Sequence, residues 1–65
     1  MRSPGEGVRA FDLESVAVAS KRMGLSARTV YRLIRAGKVD AYLVSGRIMV
    51  HRRDVDDFIA ERKAS

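Results

Sequence analysis

The spacing of apolar positions changes twice along this chain. Val16, Ala19 and Met23 recur at i, i+3 and i+7, the stripe of a helix with one buried face. Ala27, Val30, Tyr31, Leu33 and Ile34 then fall on one continuous arc at 100° per residue, which predicts a second helix. After Gly37 the period drops from 3.6 to 2, and residues 41–45 and 47–51 read as two short strands. Val55, Phe58 and Ile59, at i, i+3 and i+4, restore the helical spacing and predict a last helix over about 53–62.

Punctuation between these runs agrees with them. Ser15 is placed to cap the first helix, with Asp12 as an alternative that would add a turn. Gly24 ends that helix, Ser26 caps the next, and Gly37 stops it about three turns later. Ser20, four residues before Gly24, is small enough for two helices to cross closely, and Leu25 is expected to plug the angle between them. Ser45-Gly46 reads as a tight hairpin turn, with Leu43 and Met49 expected on the face opposite Tyr42, Val44, Ile48 and Val50. A lone hairpin is marginal in water, so one of its faces must pack on the helices. Residues 1–11 hold the single proline and no period; they are expected to be a flexible tail, with Phe11 or Leu13 docking on the core. The predicted fold class is α+β, mostly α: a helix-turn-helix, a two-stranded wing and a C-terminal helix, forming one domain over 12–63.

Charge turns this outline into a functional expectation. Residues 20–53 carry nine basic side chains against one acid, Asp40, whereas the rest of the chain has four basic and seven acidic residues. Charge gathered onto one segment is the electrostatic footprint of a nucleic-acid binder. Arg28, Arg32 and Arg35, at i, i+4 and i+7, form one row on the second helix, opposite its apolar arc. Like charges in a row repel unless an anion faces them. Asp54, Asp56 and Asp57 near the start of the last helix, with Arg62 and Lys63 near its end, suit the helix dipole.

Other classes are set aside by composition. A chain of 65 residues with 46% apolar content supports one modest core, and the absence of cysteine removes disulfides and thiolate metal sites while fitting a reducing cytoplasm. No apolar run approaches the length of a membrane span and no signal-peptide core is present. One histidine, His51, and no cysteine offer no nucleophile–base pair, so neither an enzyme nor a cofactor or metal site is expected. His51 itself reads as a surface residue without a role.

Residues 15–59 resemble the winged-helix domain of the excisionase family, recombination directionality factors related to the DNA-binding heads of MerR-type regulators. GLSARTVYRLIRAGKV, AYLVSGRIMV and RRDVDDFI carry the resemblance, four elements in the same order and spacing. The chain departs where the family often has proline, here Asp40, and at Leu43 and Met49, wing positions that are frequently basic or polar. The resemblance implies that the second helix enters the major groove of double-stranded DNA. It implies that several copies bend the DNA for an integrase or other recombinase in excision, in the bacterial host cell of a phage or mobile element, at the nucleoid.

The expected DNA contacts are then Ser26, Arg28, Thr29, Tyr31, Arg32, Arg35, Lys38 and Arg47. Arg28 and Arg32, with Thr29 beside them, are the candidates for base edges, since a guanidinium bonds guanine O6 and N7 in bidentate fashion. Arg35 is expected on phosphate, Ser26 at a phosphate facing the helix start, and Arg47 beyond the wing tip in the minor groove or along the backbone. Lys21 and Arg22 are candidates to brace the backbone. The free protein is expected to be a monomer that associates head to tail on DNA through Asp54, Asp56 or Asp57. A MerR-like transcriptional regulator is the alternative function. A rival from another class is a protein-interaction module whose basic face meets an acidic partner; a steep salt dependence of DNA binding separates the two.

Overall fold

The computed structural model describes residues 8–64. A single 3-10 turn, Ala10–Asp12, leads into strand β1 (Leu13–Ser15), helix α1 (Val16–Met23), helix α2 (Ala27–Arg35), strands β2 (Ala41–Val44) and β3 (Arg47–His51), and helix α3 (Arg52–Ala64). The tail expected over 1–11 lies outside the described residues up to residue 7. Beyond that, the turn is tied by the Asp12 N–H to the Arg9 carbonyl at 2.9 Å, and the Asp12 carboxylate accepts from the Arg9 N–H at 3.3 Å. Asp12 thus serves this turn, and Ser15 is the α1 cap: extended at φ −67° and ψ 158°, its hydroxyl accepts the Val18 N–H at 3.1 Å. Leu13 docks on the core as expected, while Phe11 stays exposed.

The sheet has three antiparallel strands in the order β1-β3-β2, one more than the expected hairpin. β1 pairs Leu13 with His51, Glu14 with Val50 and Ser15 with Met49. Three residues are too few for a period to show, and the strand exists because β3 presents a second edge to pair with. Between β2 and β3 the turn at Ser45 (φ 51°) and Gly46 (φ 77°) has positive φ at both central positions, the hairpin geometry whose twist matches the strands. It sets Val44 opposite Arg47, hence Leu43 opposite Ile48, Tyr42 opposite Met49 and Ala41 opposite Val50. Cross-strand partners share a face, so Leu43 lies with Ile48 and Val50, and Met49 with Tyr42. This corrects the grouping of Leu43 with Met49; a two-residue turn permits no other register.

Val16, Ala19 and Met23 of α1, Val30 of α2, Val39, Val50 of β3 and Val55 of α3 form the core, with Leu25, Leu33, Ile34, Ile48, Phe58 and Ile59 packed around them. Val30, Val50 and Val55 are fully buried, each contributing about 1.5–3 kcal/mol of burial free energy. Ser20 is buried at the helix crossing and returns its hydroxyl to the Ala17 carbonyl at 2.8 Å. Arg62 of α3 closes the other side: one guanidinium N–H donates to the Met23 carbonyl at 2.9 Å, and its carbon sits 5.7 Å over the Phe58 ring. It thereby meets one of the last α1 carbonyls, which have no partner within the helix.

Candidate nucleic-acid interface

Both helices of the motif end in the same way. Gly24 (φ 72°) donates to the Lys21 carbonyl at 3.3 Å while the Leu25 N–H reaches the Ser20 carbonyl at 2.9 Å. Gly37 (φ 75°) and the Lys38 N–H repeat the pattern on the Ile34 and Leu33 carbonyls at 3.1 and 3.0 Å. These paired bonds satisfy carbonyls that the helix leaves open and reverse the chain through a left-handed residue, for which glycine is suited. α2 is therefore a rigid rod held at both ends. At its start Ser26 (φ −77°, ψ 157°) accepts the Thr29 N–H at 3.2 Å, and the Ser26 and Thr29 hydroxyls lie 3.0 Å apart. The Ser26 hydroxyl is thus already engaged within the first turn. What this helix end offers an anion is its dipole and its remaining first-turn N–H groups.

On the outward side of α2, Arg28, Tyr31, Arg32 and Arg35 line one open concavity of about 640 Å³. All four are exposed, and no ion pair within the described residues engages the three arginines. At 100° per residue they occupy about 100° of the helix circumference. Tyr31, at the edge of the apolar arc, is 40% exposed and lines this concavity with the arginines. Ala27, expected on the apolar arc, is exposed as well. Thr29 is half-buried beside them. The arrangement offers three guanidinium forks and a phenol to one anionic, hydrogen-bonding surface.

Two predicted contacts stand apart from this cluster. Arg47 is exposed at the first position after the wing turn. Lys38 lines a different concavity, of about 480 Å³, with Leu33, Asp54, Asp57, Phe58 and Glu61. The left-handed Gly37 turns the chain toward α3 and so places Lys38 among acids. Arg22 differs more from its expected role. It does not extend as a bare cation but forms hydrogen-bonded ion pairs with the Glu14 and Asp56 carboxylates, joining β1, α1 and α3. These pairs keep its guanidinium more firmly protonated than usual, outweighing the opposite effect of partial desolvation.

The acids also have inward duties. The Asp54 carboxylate accepts the Asp40 N–H at 3.2 Å and so fixes the start of β2, and Asp56 holds Arg22. Of the three acids expected to meet a neighbouring copy, two are therefore engaged within the chain. The cap of α3 is His51, whose Nδ1 accepts the Arg53 N–H at 3.0 Å while its ring lies 6.4 Å from that of Tyr42. His51, expected from the sequence to be a surface residue without a role, stands directly before Arg52 and Arg53, and its one local signal was an acceptor-bearing side chain at the position preceding the helix. Among the described residues no helix is long and apolar enough to cross a membrane. A family model described as a helix-turn-helix domain matches residues 15–63. No curated protein and no solved structure matches the chain.

Proposed function

The chain belongs to the helix-turn-helix domain family, of small DNA-binding proteins, and from that premise we propose that it is a sequence-specific architectural protein of the excisionase type. In this reading several copies bind double-stranded DNA side by side, bend it and help an integrase assemble for excision. The observation that supports it best is the exposed row of Arg28, Arg32 and Arg35 with Tyr31 on one capped helix. Arg28 and Arg32 read base edges in the major groove, with Thr29 beside them. Arg35 meets phosphate, the first turn of α2 faces another phosphate, and Arg47 carries the wing to the flanking minor groove. Lys38, among acids, contributes through long-range attraction rather than a defined contact. The protein has no chemistry of its own and acts at the nucleoid of its host cell. Residues 12–63 are the DNA-binding unit, and the free protein is a monomer.

A gel-shift titration on DNA carrying one or several selected sites tests this. Arg32→Ala should cost about 1–3 kcal/mol on the specific site and flatten discrimination between sites. Arg35→Ala should weaken specific and random DNA alike and reduce the salt slope by about one unit. Equal losses for Arg32→Ala on both DNAs would reassign that residue to phosphate. A flat salt dependence would instead favour an acidic protein partner.

A further inference from the structure

Of the four side chains that line the concavity on α2, Tyr31 alone carries no charge. Among the described residues neither a hydrogen bond nor an aromatic or cation–π contact engages it. At 100° per residue Tyr31 and Arg32 stand at the two edges of the exposed arc, with Arg28 and Arg35 between them, one turn before and one turn after. Tyr31 is three residues from Arg28 and four from Arg35, spacings that make side chains neighbours on a helix, with Cβ atoms about 5–6 Å apart. A neutral ring in this position adds little to the attraction for an anion. What it adds is apolar contact, and among the standard base pairs the major groove carries one apolar group, the C5 methyl of thymine. A phenol on phosphate would position the helix without selecting a base, a task that the guanidiniums beside it already perform with charge.

We propose that Tyr31 is a specificity-determining residue whose ring covers the C5 methyl of a thymine close to the guanine that Arg28 reads. The inference rests on the reading of α2 as a major-groove helix and deepens it. Bases along a strand are spaced by roughly 3.4 Å, so side chains about 5–6 Å apart at their Cβ atoms place the two bases within two steps of each other. The face then reads two chemistries. Guanidinium forks select guanine, and the ring separates thymine from cytosine, which has only a hydrogen at C5.

The preferred site is first selected from a random duplex pool with the unmodified protein. Each thymine of that site is then replaced singly by uracil, which removes the methyl and keeps the pairing, and binding is followed by gel shift. One replacement, within two steps of a guanine, should weaken binding by about four-fold, the worth of one buried methyl. Tyr31→Ala should lose affinity for the thymine site and bind its thymine and uracil forms alike. Tyr31→Phe keeps the ring and should discriminate as the unmodified protein does. A selected site insensitive to every uracil replacement overturns the inference and leaves the major-groove reading in place. So does a thymine preference that survives in Tyr31→Ala, or a Tyr31→Phe loss equal to that of Tyr31→Ala, which would put the hydroxyl on phosphate. A pool that yields no preferred sequence overturns both. The uracil comparison uses the unmodified protein, so it decides the matter even where circular dichroism finds a variant unfolded.

Discussion

Arg22 separates a structural cation from a DNA-facing one. Its guanidinium is 34% exposed, but the Glu14 side chain it holds is only 8% exposed, and Glu14 Oε2 is buried with no hydrogen-bond partner among the described residues. Removing Arg22 by Arg22→Ala leaves that carboxylate with Arg52, whose Nε is 3.9 Å from Oε1, at the limit of an ion pair. Breaking a fully buried pair costs about 3–5 kcal/mol, and partial exposure of Arg22 together with the residual Arg52 contact reduces this to about 2 kcal/mol. The Asp56 carboxylate is 62% exposed, so its share is well below about 1 kcal/mol. At about 0.05–0.15 kcal/mol per residue, a domain of this size has only about 3–10 kcal/mol in total. With a urea m-value of about 1 kcal/mol/M for so small a domain, the midpoint should fall by about 2 M. Adding Glu14→Gln to Arg22→Ala removes the stranded charge and should recover about half of the loss. Urea titration followed by circular dichroism reads both effects. An unchanged midpoint with weakened DNA binding would refute the reasoning and return Arg22 to the DNA backbone.

Ser26→Ala removes the acceptor for the Thr29 N–H and should cost about 1 kcal/mol of stability, checked by the same titration. Gly37→Ala meets no atom within 4 Å, so its cost comes from the left-handed φ of 75° alone; about 1 kcal/mol is expected, and a neutral result would mean the turn relaxes. Arg47→Ala should leave stability unchanged and weaken binding most on sites with A·T-rich flanks, where a narrow minor groove concentrates negative potential; gel shifts on flank variants decide.

The local elements were legible because each rests on signals a few residues apart. Ser15 and Ser26 cap the helices they precede, and Gly24 and Gly37 take the positive φ their positions demand. The arginine row needed only the helical period, and it stands exposed on one side of α2. Tyr31 sat at the boundary between the two arcs, where a wheel cannot decide; packing left it with the arginines. The face of Leu43 was legible too, had the two-residue turn been used to count register from Val44 opposite Arg47.

Sequence by itself determined the helices, their ends, the hairpin turn and the polarity of α2, since all follow from backbone preference and periodicity over a few residues. Only the tertiary structure decided which partner each charge meets. Glu14 became buried because β1 adds to the free edge of β3, and Arg22 of α1 with Asp56 and Arg52 of α3 then gathered around it. Lys38 went to the acids of α3, Asp54 to the Asp40 amide, and His51 to the start of α3. Such pairings depend on distances between segments far apart in the chain, and no local pattern encodes those distances until the core has packed.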